Sequence, residues 1–262
     1  MEQLFVIKIG GNVIDDALFL QSFLRDFSAV PAKKILVHGG GKIATRIGDQ
    51  LGIVSNYVDG RRITDESTID LVTMVYGGLV NKKIVAQLQS HGCNAIGLTG
   101  ADANTIPAVK RPVKEIDYGF VGDLDRSLLN QDRWNAFLAG GLVPVVAPLT
   151  HDGQGQMLNT NADTMASMIA VLLSAIYQVR LVFCFEKKGV LQNPDDDDSV
   201  IPLITTHTYQ ELLQQNSLSG GILPKIDNAF QAIRAGVTEV LIGDAKDLTQ
   251  NTGAAMRGTL IK

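Results

Sequence analysis

Short apolar runs alternate along the chain with stretches of helical spacing. LFVIKI (4–9) predicts a buried strand. After Gly10-Gly11, apolar residues at Val13, Ala17, Leu20, Leu24 and Phe27 predict a helix. KILVH (34–38) predicts a second strand, ended by Gly39-Gly40-Gly41, and Ile43, Ile47 and Leu51 mark the next helix. A longer helix is expected over 66–91, with Ile69, Val72, Tyr76, Leu79, Ile84 and Leu88 inward. NAIGLTG (94–100) and LVPVVAPL (142–149) read as strands. Between them, TIPAVKR (105–111) and DYGFVGD (117–123) flank Pro112 and predict an antiparallel hairpin. A helix over 161–175, a strand VRLVFCF (179–185), helices near 206–216 and 222–235, and strands TEVLIGD (238–244) and GTLIK (258–262) complete the pattern. Strand–helix alternation of this kind predicts an α/β fold, a mainly parallel sheet with helices on both faces.

Composition narrows the class. The chain has 262 residues, 45% hydrophobic and 19% charged, enough for one large domain or two small lobes. The net charge is −4 with both signs interspersed, and no basic run points to nucleic acid or an anionic membrane. Cys93 and Cys184 sit beside or inside apolar runs and are expected to be buried free thiols. Lys8 and the glycines interrupt the first apolar run, so residues 1–11 lack a signal-peptide pattern, and no run reaches the roughly 20 residues of a membrane span. A cytoplasmic protein is expected. The run NPDDDDSV (193–200) lacks the spaced ligands of a calcium loop and reads as solvated, with no metal site of its own.

Candidate chemistry clusters at the glycine turns. KIGGN (8–12) and HGGGK (38–42) each follow a strand and precede a helix. Glycine admits close approach of a ligand, and free N–H groups at a helix start receive phosphate or carboxylate oxygens. Neither turn matches GxGxxG or GxxxxGK[ST]. Lys8 breaks an apolar strand just before its carboxyl end, where ligands bind in open α/β sheets. In MLNTNADTMA (157–166), Asn159, Asn161 and Asp163 alternate. The asparagines suit a carboxylate or amide, while Asp163 would either cap the following helix or orient lysines. SGGILPKID (219–227) adds Lys225 near a helix start, and DGRRIT (59–64) adds Arg61 and Arg62, whose planar forks fit carboxylates. Two lysines, glycine N–H donors and one aspartate supply the positioning and positive charge that phosphoryl transfer requires. A carboxylate acceptor is already ionised at neutral pH and needs no general base, so His38 is read as structural.

Taken in order, KIGGN, HGGGK, DGRRIT, DYGFVGD, NTNAD, GVL (189–191), SGGILPK and the final GT resemble the amino acid kinase family. The resemblance covers nearly the whole chain. It implies a three-layer αβα sandwich with an open, mainly parallel eight-stranded sheet, an acyl-amino-acid lobe over 1–175 and an ATP lobe over 176–262. It also implies transfer of the γ-phosphoryl of MgATP to the side-chain carboxylate of an N-acylated glutamate. N-acetyl-L-glutamate is the first expectation, with N-succinyl-L-glutamate as its rival. Other acceptors of the fold and a non-catalytic amino-acid sensor stand as alternatives.

By the same resemblance, Lys8 and Lys225 stabilise the transition state and Asp163 organises them. Gly10, Gly11, Gly40 and Gly41 offer backbone N–H groups to phosphate or substrate. Arg62 and Asn159 bind the acceptor, with Asn161 beside them. Glu186, Lys187, Lys188, Gly189, Val190 and Leu191, together with Ser217, Leu218 and Ser219, fall where the nucleotide is held. The hairpin 105–123 lies over the acyl-glutamate as a lid. One departure stands out: the family's Asp-Val-x-Gly-Val reads Glu186-Lys187-Lys188-Gly189-Val190 here. Because the chain begins directly at its first strand, a homodimer insensitive to arginine is expected.

Overall fold

The computed structural model describes residues 1–58, 60–193, 195–214 and 222–262. The chain forms two compact units, one of residues 1–35 and 166–262, the other of residues 36–165. Of the eight strands of the main sheet, five belong wholly to the first unit and two to the second, and the boundary falls within the eighth.

In the first unit, β1 (Gln3–Ile9) and α1 (Gly11–Asp15) are followed by α2 (Ala17–Ala29). The chain leaves this unit within β2 (Lys33–His38). The single helix expected after Gly11 is split at Asp16, whose carboxylate accepts from the N–H groups of Leu18 and Phe19 at 2.9 and 3.0 Å. An aspartate in extended backbone is a better helix cap than a helix interior residue. Ala17, expected inward, is exposed as a result.

In the second unit, α3 (Gly41–Leu51) leads to a two-stranded ribbon of β3 (Tyr57–Val58) and β4 (Arg61–Arg62). The long helical stretch that follows is α4 (Glu66–Val72), a π-helical segment (Thr73–Val80) and α5 (Asn81–Ser90). The wider π turn shifts the inward face by one position. Val80 is buried, whereas Leu79, expected inward, is 37% exposed.

Next come β5 (Ala95–Leu98), the hairpin strands β6 (Ala108–Lys110) and β7 (Gly122–Leu124), α6 (Gln131–Ala139) and β8 (Val143–Val146). A second hairpin joins β9 (Leu149–His151) and β10 (Met157–Asn159). Both hairpins are antiparallel. Strands β2, β8 and β5 run side by side in parallel.

The chain returns to the first unit within α7 (Ala162–Leu173). Then follow β11 (Gln178–Phe185), β12 (Leu203–Ile204), α8 (Thr206–Gln214), α9 (Leu223–Arg234), β13 (Glu239–Asp244), α10 (Leu248–Asn251) and β14 (Thr259–Ile261). The expected ends of the helix near 206–216 lie partly outside the described residues. The strand order here is β12-β14-β13-β11-β1, and of the described pairs in this order β13–β14 is antiparallel and the others parallel. Leu4, Val6, Ile7 and Ile9 of β1 and Val179, Leu181 and Val182 of β11 have no exposed surface. Parallel strands covered on both faces read as continuous apolar runs, which is how they appear in the sequence. Among the described residues no helix is long and apolar enough to cross a membrane.

Candidate active site

Within residues 36–165, a cavity of about 230 Å³ opens where β2 ends. Its floor is the Gly39–Gly41 turn, fixed from beneath by His38. That ring is fully buried; Nδ1 donates to the Gly39 carbonyl at 2.7 Å, and Nε2 accepts from the Asn81 amide at 3.1 Å. Asn81 also donates to the Val145 carbonyl at 2.9 Å. Burial lowers the imidazole pKa to about 4, so the ring is neutral at pH 7. Gly40 has φ +155°, and a Cβ there would lie 2.9 Å from the Tyr76 ring. The turn therefore requires glycine at this position because an aromatic wall packs directly on its backbone.

Arg62, on β4, projects into this cavity and is itself buried. Its guanidinium donates to the Gly41 carbonyl at 2.9 Å, to Thr45 Oγ1 at 2.8 Å and to Ser55 Oγ. It also lies 4.8 Å from the Tyr57 ring centroid. The head group is thus held in place before any anion arrives, which lowers the ordering cost of binding. Burial raises the pKa of Tyr76, opposed by the nearby Arg62 charge, so its hydroxyl stays protonated.

The opposite side is built by backbone lacing. Thr64 N–H donates to the Tyr118 carbonyl at 3.0 Å, and Phe120 N–H donates to the Thr64 carbonyl at 2.7 Å. Asn159 N–H donates to the Phe120 carbonyl at 2.8 Å, and its side-chain amide donates to Thr64 Oγ1 at 3.1 Å. Gly119 has φ +71°, and a Cβ there would fall 2.1 Å from the Thr64 carbonyl oxygen. The β6–β7 hairpin is therefore stitched to the segments that carry Arg62 and Asn159. Arg111 of this hairpin pairs with Asp123 at 2.5 Å and stacks 5.2 Å from Tyr118.

Gly40, Gly41, Arg62, Asn159 and Asn161 all line this one cavity. Asn161 also caps α7, its Oδ1 accepting from Thr164 N–H at 3.0 Å, so the helix cap considered for Asp163 belongs to Asn161 instead. Asp163 is the second residue of α7 and half-buried. Tyr57, Tyr76, Arg111 and Thr64 were not singled out from the sequence. Of these, Thr64 was within reach, because it closes the DGRRIT motif.

The remaining candidates belong to residues 1–35 and 166–262. Lys8 is buried at the carboxyl end of β1, followed by Gly10, and Gly11 starts α1. Lys225 lies in the first turn of α9. Their ammonium nitrogens sit 5.3 and 3.5 Å from the centroid of the same ring, that of Phe185. A cavity of about 320 Å³ is lined by Phe185, Glu186, Lys187, Gly189, Val190, Leu191 and Lys225, with Ile222 and Ile242. Lys188 lies off this lining. Both lysines of the pair meet the aspartate run, Lys187 with Asp197 at 2.6 Å and Lys188 with Asp198 at 2.5 Å. The aspartate run is thus solvated and ion-paired at once, and pairs this exposed add little to stability. Val190 N–H donates to Thr259 Oγ1 at 2.8 Å, which ties the glycine stretch to β14. Ser217, Leu218 and Ser219 lie outside the described residues.

A profile of the amino acid kinase family matches residues 3–244. The chain belongs to the amino acid kinase family. Among curated relatives it is 56% identical over 259 residues to the acetylglutamate kinase of Bacteroides thetaiotaomicron, covering 98% of this chain and 99% of that one. It is also 56% identical over 251 residues to the acetylglutamate kinase of Cytophaga hutchinsonii, covering 95% and 94%. Among solved structures, smu.665 from Streptococcus mutans UA159 superposes with a TM-score of 0.76 at 28% identity, covering 99% and 98%. The α/β class and the mainly parallel eight-stranded sheet are those of this kinase family.

Proposed function

We propose that the chain is an acetylglutamate kinase. It transfers the γ-phosphoryl group of MgATP to the side-chain carboxylate of N-acetyl-L-glutamate, giving N-acetyl-L-glutamyl 5-phosphate and ADP, a step of arginine biosynthesis. The observation that carries this reading is the pre-ordered Arg62 guanidinium, set in one cavity with the Gly39–Gly41 turn and Asn159. Arg62 takes the acceptor's α-carboxylate through its remaining N–H donors, and Asn159 and the glycine amides orient the rest. The reacting carboxylate is ionised at neutral pH, so the residues have only to position it and to offset charge on the transferring group.

Lys8 and Lys225 supply that positive charge, and Asp163 orients them. In this reading residues 1–175 hold the acylated amino acid and residues 176–262 hold ATP. The adenine side rests on Gly189, Val190 and Leu191, and Mg²⁺ enters with the nucleotide. We place the enzyme in the cytoplasm as a homodimer.

A second reading of the acyl group is favoured by Arg61. The side chain of this arginine is exposed. It lines the acceptor cavity and also a further cavity of about 450 Å³ bounded by Arg111, Lys114 and Tyr118. An acyl chain ending in a second carboxylate, such as succinyl, would reach it. A coupled ADP-release assay with N-acetylglutamate, N-succinylglutamate, glutamate and aspartate side by side tests both. Preference for an unacylated amino acid would refute the proposal, and a kcat/KM highest for the succinyl compound would select the second reading.

A further inference from the structure

Phe185 ends β11, and its position follows from strand register. Lys8 is the Cα partner of Phe183 across the parallel β1–β11 pair. Partners on neighbouring strands project from the same face, and so do residues two apart on one strand. Lys8, Phe183 and Phe185 therefore share a face. The two phenylalanine rings stack at 6.3 Å with 21° between their planes. Lys8 reaches forward from beside Phe183 to within 5.3 Å of the Phe185 centroid, while Lys225 comes from the start of α9 to within 3.5 Å. Both distances fall inside the range over which an aromatic face attracts a cation, about 6 Å.

Two ammonium groups that share one ring repel one another, and the side chain they share can oppose or worsen that repulsion. A carboxylate there would hold both but cancel the charge that a phosphoryl group in transit requires. An aliphatic side chain would withdraw this attraction from both lysines. An aromatic ring attracts each cation through its quadrupole and adds no net charge.

We propose that Phe185 is a positioning residue for phosphoryl transfer, a neutral aromatic seat that holds Lys8 and Lys225 together without neutralising them. The inference rests on the catalytic reading of those two lysines. Phe185 also borders the cavity lined by Glu186, Gly189 and Leu191, so a simple role in nucleotide contact is the competing explanation.

The test compares wild type with Phe185→Leu and Phe185→Tyr, each checked by its melting curve. If Phe185→Leu does not fold, Phe185→Met replaces it. Loss of the ring should lower kcat about tenfold, the combined size of two partly desolvated cation–π contacts. The KM for N-acetylglutamate should stay within about twofold, because the loss falls on the transition state. Phe185→Tyr should restore most of the rate. In parallel, lysine labelled with ¹³C at Cε should show two ring-current-displaced signals in wild type and Phe185→Tyr that vanish in Phe185→Leu. A Phe185→Leu enzyme as fast as wild type, an effect confined to the KM for ATP, or equal losses in the Leu and Tyr variants would each overturn the proposal. Displaced lysine signals in a wild-type protein that releases no ADP would instead refute the activity and leave the seat standing.

Discussion

Acid should destabilise the fold through His38, which sits beneath the acceptor cavity, and the size of the effect can be worked out. The imidazole is buried with Nδ1–H on the Gly39 carbonyl and Nε2 receiving the Asn81 amide. Protonating Nε2 would set one donor against another in a dry site. The pKa falls from the ordinary 6.5 to about 4, mainly through burial. Between these values the unfolded chain binds a proton that the folded chain refuses. Stability is therefore full above pH 6.5 and declines as pH falls toward 4, by about 3 kcal/mol in total and roughly 2.5 kcal/mol by pH 4.5.

Carboxylates titrate nearby, so the measurement is a difference. Urea unfolding of wild type and His38→Gln, followed from pH 7.5 to 4.5, isolates the histidine contribution. Wild type should lose the larger amount, while the KM for the acceptor stays nearly level to pH 4.5 because the folded chain keeps the ring mostly neutral until about pH 4. Parallel loss in the two proteins would show that the ring is not held neutral, and the reasoning would fail.

Three further outcomes are expected. Lys8→Ala and Lys225→Ala should each reduce kcat by about 10²-fold or more, the usual size of a lost transition-state contact, and near-normal turnover would remove that residue from the mechanism. Arg62→Ala should raise the KM for the acylated glutamate by on the order of tenfold or more, as expected for a charge-assisted pair; a change seen only in the KM for ATP would show the arginine is misassigned. Gly119→Ala should destabilise the 36–165 unit by about 2 kcal/mol or more, since its Cβ would collide with the Thr64 carbonyl and the backbone has positive φ. An unchanged melting temperature would mean the stitch between Thr64 and the hairpin is dispensable.

The strand–helix order was legible because each buried strand announces itself as an apolar run and each helix by its spacing. The exceptions were local. Asp16 stops a helix that periodicity alone would continue, and the π segment moves Leu79 outward and Val80 inward. Of the candidate site, Lys8 stands out in the sequence as a charge inside an apolar strand, and Arg62 and Asn159 as motif residues. Phe185 does not, because one aromatic in VRLVFCF looks like any other core position. Its meaning comes from register with β1 and from a lysine forty positions away, neither of which a linear pattern contains. The pairing of Asp197 and Asp198 with Lys187 and Lys188 was hidden for the same reason.

The stitching of the β6–β7 hairpin to Thr64 and Asn159 has a consequence for evolution. Most surface loops tolerate length changes because little depends on their interior register. Here Tyr118, Phe120 and Val121 each hold a main-chain partner. Inserting or deleting a single residue between 117 and 122 would break this main-chain register with Thr64, Arg111 and Asn159, so variation here should proceed by exchanging side chains on a hairpin of constant length.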